Sequence, residues 1–142
     1  LYHNEISSIP PEIGNLTNLD QLSFHYNEIS SIPPEIGNLT NLEYLLLQHN
    51  SMGNYPAGTF SNLTVVTNLE IHYNGALGVA DIDQVLSDLA NDNLPNRSSW
   101  DGSSDSNPAN VDLTNTARPT NGSSNADYQA LEDAGWTVSI DT

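Results

Sequence analysis

LEYLLLQHN, residues 42–50, places apolar side chains at Leu42, Leu45 and Leu47 and closes on Asn50. The same order, L-x-x-L-x-L-x-x-N, recurs at Leu19, Leu22, Phe24 and Asn27 and at Val66, Leu69, Ile71 and Asn74. Leu1 and Asn4 are the tail of an earlier copy. Asn4, Asn27 and Asn50 lie 23 residues apart, and Asn74 follows after 24. Agreement in several positions over consecutive copies is the signature of stacked repeats, in which no unit can bury its apolar face alone. Within each copy the L-x-L alternation belongs to a short strand: two side chains point inward and the one between them outward.

Between those phrases the chain reads NEISSIPPEIGNLTNL from Asn4 to Leu19 and again from Asn27 to Leu42. These residues resemble the 23-residue form of the leucine-rich repeat family found in bacteria and plants. The resemblance covers Leu1 to Asn74 and implies an α/β fold: a leucine-rich repeat solenoid with a curved parallel sheet inside and short helical turns outside. Asn4, Asn27, Asn50 and Asn74 are expected to stack as a ladder, because an amide can both donate to and accept from backbone groups at the bend after each strand.

The repeat dissolves after Asn74. Ile82, Val85, Leu86 and Leu89 follow helical spacing, so Asp81 to Ala90 predicts an amphipathic helix. A second helix is expected from a cap at Asn125 or Asp127 through Ala134, ended by Gly135. The alternation returns at Val111 and Leu113 and at Trp136, Val138 and Ile140. Strands there would join the repeat sheet in parallel through right-handed crossovers. The expected division is leucine-rich repeats over 1–78, the first copy truncated, and a C-terminal α/β cap over 79–142 continuing the same solenoid. The final segment, from Val111 to Thr142, is similar to the endings of leucine-rich repeat proteins of bacteria and phages. That resemblance implies an extracellular or surface-exposed part of a larger bacterial or viral protein.

Charge narrows the partners. Eighteen Asp and Glu stand against two Arg and no Lys, a net charge of −16. Such a chain repels phosphate backbones and anionic lipid, so neither nucleic acid nor membrane is an expected partner. There is no basic, apolar signal at the start and no run long enough to span a bilayer. The chain opens inside a repeat, which suggests a fragment; an open repeat at Leu1 would allow either a monomer or end-to-end association. No cysteine is present to bridge.

The outward positions of the strands form columns. One reads Gln21, Tyr44, Asn68 and Asn110. The next reads Ser23, Leu46, Glu70 and Asp112. A third holds Tyr2, His25, Gln48, His72 and Thr114, and beside the Asn ladder run His3, Tyr26, His49, Tyr73 and Asn115. All four histidines fall in the last two columns. Flat rings and hydrogen-bonding side chains grouped on an open face suit a saccharide, with Tyr44 and His72 stacking on the sugar and Gln48 and Glu70 reading its hydroxyls. His25 completes the central set, with Tyr26, Tyr73 and Asp112 at its margin. The leading expectation is a non-catalytic module binding an oligosaccharide or polysaccharide on the concave face. The alternative is a protein partner on the same face, because tyrosine is enriched at interface centres.

Catalysis finds no motif: there is no G-x-S-x-G elbow, no phosphate loop and no H-E-x-x-H. Glu70 and Asp112 share a column, but an open face does not desolvate paired carboxylates. No metal or other cofactor is expected of the histidines, since His25 and His72 sit two strands apart. In the Ser-, Asn- and Asp-rich stretch from Asn91 to Asn110, Asp101 and Asp105 offer oxygens to calcium. Their spacing departs from an EF-hand loop, so a solvated acidic loop is expected there and calcium is the alternative.

Overall fold

In a computed structural model, the structure describes residues 3–90, 110–112, 126–133 and 137–139. Five strands of three residues each form one parallel sheet in chain order: β1 (Gln21–Ser23), β2 (Tyr44–Leu46), β3 (Asn68–Glu70), β4 (Asn110–Asp112) and β5 (Thr137–Ser139). The register aligns Leu22, Leu45, Leu69, Val111 and Val138 at the strand centres. Leu22, Leu45, Leu69 and Val138 are buried, as are Phe24, Leu47 and Ile71 two residues after the repeat centres. The fold is therefore an α/β leucine-rich repeat solenoid with the core behind the sheet. Strands β4 and β5 add to the repeat sheet rather than making a second one.

Behind the first two repeats, Pro11–Asn15 and Pro34–Asn38 (both PEIGN) form single 3₁₀ turns. Proline starts each, since its missing N–H would have no partner there anyway. Each turn ends when the next leucine, Leu16 or Leu39, donates back to Ile13 or Ile36 at 3.0 Å. The glycines permit close stacking: a β-carbon on Gly14 would stand 2.7 Å from the Glu35 carbonyl oxygen, and one on Gly37 would stand 2.7 Å from that of Thr59. Repeats thus approach one another backbone to backbone on the outer side.

The asparagine ladder forms as expected at Asn27, Asn50 and Asn74. Asn50 Nδ2 donates to the carbonyls of Leu47 (2.9 Å) and of Phe24 in the preceding repeat (3.0 Å), while its Oδ1 accepts from Ile29 N–H at 2.9 Å. Asn74 repeats the pattern on Ile71, Leu47 and Met52. Asn27 donates to Phe24 O and accepts from Ile6 N–H. Each amide ties two repeats together where the backbone turns and its own groups would otherwise be orphaned.

Helix α1 spans Val79–Leu89 and begins two residues before the expected Asp81. The reason is local. Gly78 is the cap residue, and Asp81, three residues on, accepts from Gly78 N–H at 2.9 Å with one oxygen and from Tyr55 N–H at 3.0 Å with the other. Ile82, Val85, Leu86 and Leu89 are buried, the expected stripe. Asp88 is buried beside them; its carboxylate accepts from the Tyr55 hydroxyl (2.5 Å) and from Gln84 Nε2 (2.8 Å). Burial, then the bond and charge of Asp88, push the Tyr55 phenol far above its ordinary range. Helix α2 (Ala126–Asp133) packs on α1 and on β5 through Tyr128 and Leu131. The calcium candidates Asp101 and Asp105, Trp100, and the inward positions Leu113, Trp136 and Ile140 lie outside the described residues.

Candidate functional site

The open face of the sheet carries the columns the spacing predicts: Gln21, Tyr44, Asn68 and Asn110 align with Thr137, and Ser23, Leu46, Glu70 and Asp112 with Ser139. Tyr44 is 37% exposed; Gln48, Glu70, His25 and His72 are half-buried. Of Asp112 the register alone is described: it stands opposite Glu70 on the next strand.

Backbone pairing does not stop with the three-residue strands. Tyr26 N–H donates to Gln48 O and Asn27 N–H to His49 O, while His49 N–H donates to His72 O. His3, Tyr26, His49 and Tyr73 each have φ between 54° and 56°. This left-handed conformation is costly for an L-residue, about 1–2 kcal/mol. It breaks the strand alternation, so His25 and Tyr26, and likewise His72 and Tyr73, both stay off the core: Tyr26 is 42% exposed and Tyr73 48%.

Held at one position in successive repeats, these four rings stack on one another. His3 and Tyr26 lie 4.3 Å apart at 8°, Tyr26 and His49 4.2 Å at 10°, and His49 and Tyr73 4.3 Å at 11°. Neighbouring strands are about 4.8 Å apart, which brings flat groups at equivalent positions to stacking distance. His72 meets His49 edge-on with centroids 5.8 Å apart, and His25 meets Tyr26 edge-on at 5.7 Å. His49 is held below the ordinary imidazole pKa by partial desolvation first, then by the neighbouring His72, His25 and His3.

The spacing named Tyr26 and Tyr73 but left His3 and His49 out of the candidate set, although they complete the same stack. A recurring His or Tyr immediately before the ladder asparagine was the available signal. The stack also changes what these rings offer. Their faces cover one another, and they present edges, hydroxyls and ring nitrogens outward. None of the ring contacts among the described residues involves Tyr44. His72, the other ring expected to stack on a sugar, is engaged edge-on by His49 and Tyr73.

At the centre of the face, three side chains converge. Gln48 Nε2 donates to Glu70 Oε2 at 2.8 Å, and Asn68 Nδ2 donates to Glu70 Oε1 at 3.2 Å. The amide oxygens of Gln48 and Asn68 are buried and accept no hydrogen bond. A buried acceptor left unsatisfied costs about 1–3 kcal/mol. Nearby, Ser23 Oγ pairs with His25 Nδ1 at 2.7 Å. Among the described residues, no three His, Cys, Asp or Glu side chains are placed to hold a metal, and no helix is long and apolar enough to cross a membrane.

Comparison with known proteins follows the same lines. The leucine rich repeat family model matches residues 1–52. No match was found among curated proteins. Among solved structures the chain is similar to a leucine-rich repeat protein of Leptospira interrogans, with 22% identity and a TM-score of 0.60, covering all of this chain and 36% of that one. It is also similar to the plant peptide hormone receptor RGFR1 in complex with RGF2, with 22% identity and a TM-score of 0.60 over 94% of this chain and 18% of the receptor. An internalin of Listeria monocytogenes is similar at 17% identity and a TM-score of 0.53, over 99% of this chain and 39% of the internalin. The chain thus spans less than two fifths of the length of each of these proteins.

Proposed function

We propose that this chain, a leucine-rich repeat solenoid, is a non-catalytic binding module whose open sheet face engages a polypeptide partner rich in basic residues. The observation that carries the reading is the register. Five parallel strands bring polar and aromatic side chains into continuous columns, with Glu70 at their centre and Tyr44 exposed beside it. Among the described residues this face holds no fixed cation, for no Lys or Arg occurs there, in a chain of net charge −16. A complementary partner brings positive charge, which both steers encounter and disfavours acidic competitors. The peptide hormone receptor of the same fold is in keeping with a peptide ligand.

The saccharide reading is favoured by one observation, the exposed ring of Tyr44 beside planar amides. Against it stands the mutual covering of the ladder rings, which leaves few ring faces for a pyranose. Parallel selections separate the two. The immobilised chain is screened against a displayed peptide library and a glycan array, each with and without calcium. The expected result is enrichment of basic peptides whose binding is lost in Tyr44→Ala and weakened in Leu46→Ala. Recovery of glycans alone, or peptide binding indifferent to both substitutions, overturns the proposal. This reading puts the chain in an extracellular or surface-exposed setting, in keeping with the peptide hormone receptor among the neighbours, and locating the tagged protein tests it.

A further inference from the structure

Glu70 has both carboxylate oxygens occupied, yet only by amide donors drawn from its own neighbours. The arrangement leaves a surplus of acceptors. One negative charge and two unanswered amide carbonyls, Gln48 Oε1 and Asn68 Oδ1, gather within one cluster. Buried polar atoms without partners are rare in folded proteins and mark a place where an ion, water or ligand group belongs. No Lys or Arg between residues 3 and 90 can answer them. The next strand adds a second acid at the aligned position, Asp112 opposite Glu70. On the other side, Tyr44 stands opposite Asn68 in the register with its ring exposed. Acidic acceptors beside an uncovered ring suit a planar cation, which forks onto a carboxylate and lies on an aromatic face.

We infer that Glu70, Gln48 and Asn68 form a subsite for a guanidinium group, the side chain of an arginine on the partner. The inference rests on the polypeptide reading above and names the residue that this face takes. Seating requires little movement. The guanidinium donates to Glu70 and displaces an amide N–H; rotation of that amide about its last side-chain torsion then turns its carbonyl toward the same donors. Gln48 and Asn68 are half-buried and end in such rotatable amides. Five donors in a fixed plane match this set of acceptors better than the compact ammonium of lysine does.

The test is a titration of the intact chain, followed by NMR, with acetyl-Gly-Arg-Gly-amide and with the same peptide carrying citrulline, the neutral isostere. The arginine peptide is expected to shift the side-chain amide signals of Gln48 and Asn68 with a Kd on the order of 1 mM, as one charge-assisted fork would give. The citrulline peptide should not. Glu70→Gln should weaken binding about tenfold. Gln48→Ala should weaken it several-fold although the Glu70 charge remains, which keeps the test decisive if Glu70→Gln fails to fold. Glu12→Gln, on an exposed outer turn, should leave it unchanged. Equal shifts with citrulline, equal weakening by Glu12→Gln, or no shift at Gln48 and Asn68 each overturn the subsite. So does a gain of about tenfold on replacing Arg97 and Arg118 with alanine, which would make the chain's own arginine the occupant. If arginine seats at Glu70 but no library peptide binds, the subsite stands and the polypeptide reading falls. If library peptides bind through Tyr44 and ignore Glu70→Gln, the reverse holds.

Discussion

Single residues at the bend after each strand do unequal amounts of stabilising work. Asn74 is fully buried and Asn27 is 9% exposed, although both make the same kind of bond. Asn74→Ala should therefore cost about 3 kcal/mol, and Asn27→Ala about 1–2 kcal/mol, because water answers the orphaned carbonyls more easily at the second site. Urea unfolding of the two variants measures the difference. The residue before the ladder asparagine has another consequence. His49 has a lowered pKa in the folded chain, so the unfolded chain binds more protons over the interval below pH 6.5. Stability should thus fall as pH drops from 7.5 through that interval, and level off once the folded His49 is also protonated. Melting temperature against pH should show this slope, and His49→Gln should flatten it; an unchanged slope would assign the effect to other groups.

At the scale of elements, the strands and their register were legible because two periods coincide, the alternation within a strand and the 23-residue step between strands. That was enough to place Tyr44, Asn68, Glu70 and Asp112 in their columns. The ring stack was not legible in full. Alternation alone would turn Tyr26 inward after His25, and only the left-handed backbone, which alternation rules do not contain, keeps it out. The tie between Tyr55 and Asp88, 33 residues apart, was also hidden, because neither residue belongs to the repeat. The outer turns carry a testable constraint of their own. Gly37→Ala drives a methyl group toward the Thr59 carbonyl, a backbone atom that cannot swing aside. Overpacking of this kind costs about 1–3 kcal/mol, and thermal denaturation should show it without loss of helix or sheet signal.

The whole molecule is governed by its charge. With a net charge of −16, self-repulsion opposes compaction, and dissolved salt screens it. Raising sodium chloride from 0.05 to about 0.5 M should raise the melting temperature while it weakens any basic ligand, because both effects share one screening length of about 4–14 Å over that range. A chain whose binding and stability move together with salt would contradict the charge assignment. Low salt accordingly weakens the fold through carboxylate repulsion, a cause separate from the imidazole protonation that lowers stability as pH falls from 7.5.

The four piled rings also give the molecule a built-in optical reporter. Tyr26 is sandwiched between His3 and His49, and Tyr73 stacks on His49, all at 4.2–4.3 Å, close enough for their emission to sense whether those imidazoles are charged. Slippage between neighbouring repeats would pull the pile apart before the leucines behind it reached water. Tyrosine fluorescence can therefore announce the loosening of one slice of the solenoid from the next earlier than any signal from the core.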